Sequence, residues 1–435
     1  MAQEKKIAVL FIGVVSSEKL ITELISSKLG APNPAAQKYH RLLLEGMAVS
    51  NELFSVNVIS MPEYFVGYRI DGYKETARSV HYTNLPYQTN KIFKLINNSF
   101  QIWADIWRWR AGTNKLKRYI MYDPLHLSTS VLALLFSRLL GIKLICTVTD
   151  LPEYMYVLND RVTFSDKIIY KLKNFLITSA DAIIVLTKPM ISYFSLENRN
   201  HILIEGLVDH VHVEDTDNEQ VHGTKIIHYS GGLFEKFGVK ALIDAFMLLE
   251  DSDIELELFG KGDLESYIHE CIKKDERIKY YGLKENNFVV SMQKRSFILV
   301  NPRFSFENYT KYSFPSKTIE YMASGVPLLT NKLPGIPEEY FNYVYHFDGE
   351  SVEDYRKKLE HLLRTPYETI REFGIKAKAS RVRIPVSDEE RTAARAGMGG
   401  EKTAKAKQAA ADTPTSPELV APVATESAAP DVAPT

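Results

Sequence analysis

Cysteine is almost missing from this 435-residue chain. Cys146 and Cys271 stand far apart without metal-ligand neighbours. That excludes a disulfide framework and points to a reducing compartment. Long apolar runs are missing too, and no stretch approaches the roughly 20 residues of a membrane span. The short run 7–15 lacks an Ala-x-Ala cleavage pattern and leads into a helix-like stretch, so it reads as a buried strand rather than a signal peptide. An excess of charge is absent: 53 Lys plus Arg face 54 Asp plus Glu, a net charge of −1. That balance argues against a dedicated nucleic-acid binder. Gly13 follows the first apolar run without the Gly-x-x-Gly spacing of a dinucleotide turn, which argues against a dinucleotide-dependent dehydrogenase.

What the chain does have is alternation. Hydrophobic residues make up 45% and charged residues 25%, as in a globular protein whose length suits two or three domains. Apolar runs at 7–15, 54–61, 118–122, 143–148, 182–186 and 201–204 are separated by helical patterns. Such Val-, Ile- and Leu-rich runs suit parallel strands covered on both faces. A polar stretch, 209–224, reads as a linker, and the alternation restarts at 226–229, 254–259, 278–281, 297–300, 326–330 and 343–347. Glu255 and Glu257 give the second of these a strict alternation, expected of a strand nearer an edge. The predicted organisation is an N-terminal Rossmann-like domain, 1–208, the linker, a C-terminal Rossmann-like domain, 225–380, and a tail, 381–435. The last 35 residues hold ten Ala, five Pro and no aromatic residue, so this tail is expected to be disordered. Two doubly wound domains facing each other make a cleft, and ligands of such sheets bind at the carboxyl ends of the strands.

The most informative segment runs from Phe314 to Thr330. Ser316 is placed to cap a helix. Ile319, Met322 and Ala323 share an apolar face, and Gly325 is placed to end the helix. Glu320 sits about one turn in, beside free N–H groups that attract phosphate, where its carboxylate can accept from a ribose hydroxyl. Lys317 puts a positive charge at the positive end of the helix dipole, a local conflict that points to a ligand. Upstream, Gly231 and Gly232 let a diphosphate or sugar approach the backbone, and Lys236 can neutralise it. Gly260 and Gly262 leave room for a flat base at a strand end. In the first half, Asp150 ends an apolar strand and either orients an acceptor or serves as a turn residue. Asp123, in Asp123-Pro-Leu-His126, and Gly13 end other strands and face the same cleft.

In order and spacing, these blocks resemble the glycosyltransferases of the GT-B fold, in particular glycosyltransferase family 4, over most of residues 5 to about 375. The segment Phe314-Pro-Ser-Lys-Thr-Ile-Glu320 resembles that family's donor-nucleotide helix in a branch found among bacterial surface-polysaccharide transferases. Tyr229 to Phe246, Leu258 to Asp263 and Glu205-Gly-Leu-Val-Asp209 resemble further family blocks. The resemblance implies a retaining, metal-independent transfer of a sugar from a nucleoside-diphosphate sugar to a saccharide or lipid-linked acceptor, in surface or exopolysaccharide synthesis. No cofactor is implied besides this substrate. The resemblance puts Gly231, Gly232, Lys236, Gly260, Gly262, Tyr312, Ser316, Lys317 and Glu320 on the donor side. It puts Gly13 and Asp123 on the acceptor side, and Asp150 and Lys317 in the chemistry.

The chain also departs from the pattern. Of two glutamates eight positions apart, the first falls on Tyr312. An Arg after the first loop glycine falls on Gly232, the Lys before the next glycine on Phe237, and a His of the first domain on Thr149. Tyr312, Gly232 and Thr149 favour one alternative, a non-catalytic subunit of the same fold that binds a nucleotide or a partner transferase. A nucleotide-sugar epimerase shares the double architecture, but the carboxylates it needs for attack by water are not identified in the sequence. A last feature is the stretch 100–110, which holds Trp103, Trp107 and Trp109 with Arg108 and Arg110. It reads either as a core helix or as a peripheral membrane contact. The expected location is cytoplasmic, with the inner face of the plasma membrane as the place of such a contact.

Overall fold

The computed structural model describes residues 7–26, 34–49, 53–61, 71–86, 91–124, 126–154, 163–208 and 223–381. The predicted tail and residues 209–222 of the predicted linker lie outside them.

The first half runs β1 (Ile7–Gly13), α1 (Glu18–Ser26), α2 (Pro34–Val49), β2 (Phe54–Ser60), β3 (Tyr73–Ala77), β4 (Val80–Asn84), α3 (Lys91–Gly112), β5 (Lys117–Tyr122), α4 (Leu127–Leu140), β6 (Lys143–Val148), α5 (Phe164–Thr178), β7 (Ala182–Val185), α6 (Lys188–Tyr193) and β8 (His201–Leu203). Among the described residues its sheet has eight strands, ordered β3-β4-β2-β1-β5-β6-β7-β8. β1 lies between β2 and β5, parallel to both. Its apolar residues are buried from Ala8 to Ile12, as a strand covered on both faces requires. The order reverses at β1, and such a switch point opens a crevice at the carboxyl ends of the strands.

The second half runs β9 (Lys225–Ser230), α7 (Val239–Met247), β10 (Ile254–Phe259), α8 (Glu265–Ile272), β11 (Ile278–Gly282), α9 (Asn286–Lys294), β12 (Ile298–Asn301), α10 (Ser316–Ser324), β13 (Leu328–Thr330), β14 (Tyr345–His346), α11 (Val352–Arg364) and α12 (Tyr367–Arg381). Its six described strands are ordered β11-β10-β9-β12-β13-β14, all parallel. One compact unit takes in both sheets. A buried cluster extends from β1, β5 and β6 of the first sheet to Ile319, Tyr321 and Met322 of α10. A second cluster surrounds the second sheet, with Phe246, Leu256 and Phe297 inside it.

Three details differ from the sequence expectations. The antiparallel hairpin β3–β4 has no counterpart among the predicted strands. β3 is mostly exposed and polar, and its turn uses Arg78 and Ser79 at φ 46° and 64° instead of the usual Asn-Gly. The alternation of β10 fits its place near an edge, but its polar positions are not both turned to water. β10 lies one strand in from the edge, and Glu257 is fully buried. It stands 3.7 Å from His228 Nδ1 and accepts from Arg295 at 2.5 Å and from the Tyr281 hydroxyl at 3.2 Å. Ser316 does not cap α10: Pro315 holds the cap position, and no side chain caps the helix there. Gly325 does end the helix, at φ 81°.

Two loops of the second sheet pack backbone to backbone. The Leu233 N–H donates to Lys261 O at 2.9 Å, and the Leu264 N–H to Leu233 O at 3.1 Å. A Cβ on Gly260, at φ 130°, would lie 1.8 Å from Gly231 O, and one on Gly262 would lie 2.0 Å from Leu233 O. These glycines therefore make room first for the neighbouring loop. Gly260→Ala is expected to cost about 1–3 kcal/mol in denaturant unfolding. Gly46→Ala, in α2 with nothing within 4 Å of its Cβ, is expected to stabilise by about 0.5–1 kcal/mol.

Candidate functional site

The site is organised around α10. Its first turn follows Pro315, whose carbonyl accepts from the Thr318 N–H at 2.9 Å. Glu320 lies one turn further on. Lys317, three residues before it on the same helix, donates to Oε2 at 2.8 Å, and Lys38 of α2 donates to Oε1 at 2.9 Å. The Glu320 side chain is 9% exposed. Burial works to raise its pKa, but the ammonium groups of Lys317 and Lys38 outweigh it and hold the carboxyl at about 2. The two lysines come from opposite halves of the chain, so the carboxylate joins them. Beside it the Tyr39 hydroxyl donates to Ile204 O at 3.1 Å. A Cβ on Gly206 would lie 2.6 Å from Ile319, so the chain can pass this close to α10 only as glycine.

Across from the start of α10 lies the loop after β9. Gly231 donates to Phe259 O at 3.0 Å, and Gly232 O accepts from the Tyr229 hydroxyl at 2.8 Å. Lys236 stands over the rings of Phe234 and Phe237, at 5.6 and 5.5 Å, and burial lowers its pKa. The Arg303 guanidinium lies over the same Phe237 ring at 4.5 Å. Sequence reasoning missed Arg303, because a lone Arg after Asn-Pro carries no local signal.

The first half brings Asp150, Asp123 and Gly13 to the carboxyl end of its sheet. Burial raises the Asp150 pKa, against the Thr149 hydroxyl and the charge of Arg303 from the other half. The Val14 N–H donates to Asp123 Oδ2 at 3.4 Å, and a Cβ on Gly13 would lie 2.3 Å from that oxygen. His40 of α2, also missed from sequence, is buried 5.3 Å from the Phe11 ring. Burial lowers its pKa, with Asp123 opposing. His126 contributes its backbone carbonyl, which accepts from the Thr129 and Ser130 hydroxyls at 3.0 and 2.8 Å. Tyr312 stacks on Tyr154 at 6.1 Å and meets Tyr193 edge-on at 5.4 Å, so its ring is part of an aromatic bridge between the halves. Among the described residues, no group of three His, Cys, Asp or Glu is arranged to hold a metal ion.

Residues 213–380 match the family described as glycosyl transferases group 1. No curated protein matches the chain by sequence. Among solved structures, the chain is similar to a sucrose-phosphate synthase from Thermosynechococcus elongatus (13% identity, TM-score 0.61, covering 94% of this chain and 100% of that one). It is similar to the catalytic domain of starch synthase IV from Arabidopsis thaliana, solved with ADP and acarbose (9% identity, TM-score 0.59, covering 91% and 100%). It is also similar to HepE from Anabaena, solved with UDP and glucose (12% identity, TM-score 0.56, covering 89% and 98%). The fold is therefore GT-B. The segment that matches the glycosyl transferases group 1 family forms the second half of that fold.

Glu320 makes stability depend on pH. Its pKa of about 2 lies below the ordinary 4.5, so its contribution is complete above about pH 5 and is lost as pH falls towards 2. The unfolding free energy of wild type relative to Glu320→Gln is expected to shrink by about 2 kcal/mol between pH 6 and pH 3. Denaturant titrations at each pH measure it, and a difference that does not change with pH would contradict the ion-pair geometry.

Proposed function

We propose that the chain transfers a sugar from a nucleoside-diphosphate sugar to a saccharide or lipid-linked acceptor in surface or exopolysaccharide synthesis. The observation that carries this reading is the ionised Glu320 carboxylate, one turn into α10 and facing the first half. A ribose hydroxyl can donate to it, while the diphosphate meets the first-turn N–H groups of α10 and the loop at Gly231 and Gly232. Tyr312 and Ser316 line the approach to that turn, and Gly260 and Gly262 shape the strand end where a base would lie. In the transfer, the bond from the anomeric carbon to the diphosphate oxygen breaks, the bond to the acceptor oxygen forms, and the acceptor hydroxyl's proton passes to the departing diphosphate. Lys317 and Lys236 stabilise the charge left on the diphosphate. Asp150, facing Arg303 from the first half, orients the acceptor hydroxyl or steadies positive charge on the sugar, and Gly13 and Asp123 belong to the acceptor side. The family 4 resemblance supports retention of configuration and independence from metal. The HepE structure with UDP and glucose supports a uridine donor as the first to try.

A lipid-linked acceptor would call for a surface that meets a membrane. No described helix is long and apolar enough to cross one. On α3, Ile102, Ile106 and Trp109 face the core, while Phe100, Trp103 and Trp107 are exposed. Arg110 stands over the Trp107 ring at 5.1 Å. On α5, Phe164, Ile168 and Phe175 are exposed beside the exposed Lys167 and Lys171. Apolar faces fringed with cations suit an anionic bilayer, which supports a cytoplasmic enzyme at the inner membrane face.

The second reading, a non-catalytic nucleotide-binding subunit, is favoured by Tyr312, whose ring is engaged by Tyr154 and Tyr193. Incubation with UDP- and GDP-sugars separates the two. A transferase is expected to hydrolyse one donor slowly without acceptor and faster with it, whereas binding without turnover of any donor would favour the subunit. Flotation with vesicles containing phosphatidylglycerol tests the surface. Trp103→Asp with Phe164→Asp is expected to reduce vesicle binding at least tenfold, and unchanged binding would remove the membrane contact from this reading.

A further inference from the structure

Among the described residues, most buried or half-buried cations have anionic or carbonyl partners. Arg277 is held by Asp275 and by the carbonyls of Leu249 and Asp251, Arg295 by Glu257, and Lys38 and Lys317 by Glu320. Arg303 and Lys236 are exceptions. Their charged groups converge on one ring, Phe237, at 4.5 and 5.5 Å. Neither makes an ion pair among the described residues, and the buried Arg303 Nε has no hydrogen-bond partner among them. Two like charges drawn together in a partly desolvated place are unfavourable without an anion to bind both. The aromatic face compensates only part of that cost.

The position of Arg303 is fixed by the backbone. Pro302 O accepts from the Tyr355 hydroxyl at 2.7 Å and from Asn331 Nδ2 at 3.2 Å, and Arg303 O accepts from Asn331 Nδ2 at 3.0 Å. Gly238, at φ 74°, abuts this segment so closely that a Cβ there would lie 2.0 Å from Pro302 O. The glycine loop and the Asn301-Pro302-Arg303 corner therefore form one unit, which sets the guanidinium beside the loop offered above for the diphosphate.

We propose that Arg303, stacked on Phe237, binds the diphosphate of the donor and supplies the cation that the loop lacks at Gly232 and Phe237. The proposal rests on the donor reading and adds to it the residue that recognises the diphosphate. The guanidinium fork can hold two phosphate oxygens at once, which an ammonium cannot. Lys236 adds a second positive charge, and Asp150 beyond Arg303 closes the site from the first half. The ring of Phe237 gives Arg303 a flat support, so that little side-chain freedom is lost when the anion binds.

Calorimetric titration of the full chain with UDP, GDP, uridine and guanosine tests this. Wild type is expected to bind one diphosphate well above its nucleoside. Arg303→Gln is expected to weaken that diphosphate about ten- to hundredfold and leave the nucleoside within twofold, as loss of charged hydrogen bonds implies. Arg303→Lys, which keeps the charge without the fork, is expected to fall between the two. It also carries the test if Arg303→Gln shows a lowered melting temperature. Equal diphosphate affinity in wild type and both folded variants would overturn the proposal while leaving the donor reading in place. A wild type that binds neither diphosphate would overturn the donor reading and the proposal with it.

Discussion

The arrangement of the cleft depends on one largely buried carboxylate held by two lysines. Glu320 would be costly to ionise in that place alone, and neither lysine compensates it as well as the pair. Lys317 is local to α10, whereas Lys38 reaches across from α2, 282 positions away in sequence. The contact thus fixes how α10 is presented to the first half, helped by the fit of Ile319 against Gly206. An acceptor oxygen held so firmly in its charged form is suited to a neutral hydroxyl donor such as ribose. One carboxylate between two lysines leaves a net charge of +1, so a neutral hydroxyl does not disturb the pair and an anion beside it meets a residual positive charge.

The protein handles charge differently where the charge is structural. Around Glu257, a fully buried carboxylate between β9 and β11 takes Arg295, Tyr281 and a buried His228 as neighbours. The His228 pKa is lowered by burial, with Glu257 working against it. This cluster balances its charge inside the sheet. At Phe237 the cations gather without an ion pair among the described residues, and Asp263, Glu307 and Asp150 act on them only at longer range. The contrast within one sheet is between a carboxylate with paired neighbours and cations without an ion pair, the arrangement on which the proposed diphosphate site rests. Arg303 lowers the pKa of Asp150 against the effect of burial, so charge on the two halves is coupled there.

Much of the fold was legible because it is written locally. Apolar runs gave the parallel strands to within a residue or two at most ends, and Gly325 gave the end of α10, since only glycine takes that left-handed position easily. The hairpin β3–β4 was not legible: Tyr73–Ala77 is polar and exposed, and Arg78-Ser79 is not a turn sequence by composition. Ser316 read as a cap because Ser usually caps, but Pro315 stands one place earlier. The exposure of Trp103 and Trp107 was ambiguous in sequence, since Ile106 shares part of their helical arc yet turns inward. The site was legible only in its local part. Glu320 and Lys317 belong to one motif, whereas Lys38, His40 and Arg303 owe their places to tertiary packing. Gly238 against Pro302 is such a contact, and no spacing in the sequence encodes it.

The central claim is that α10 and the loop after β9 together hold a nucleoside-diphosphate sugar. A crystal structure of the chain with UDP or GDP tests it most directly. The account predicts a ribose hydroxyl within hydrogen-bond distance of a Glu320 carboxylate oxygen, and diphosphate oxygens between the first turn of α10 and the Arg303 guanidinium. A nucleotide bound away from α10, or with its ribose out of reach of Glu320, would contradict it.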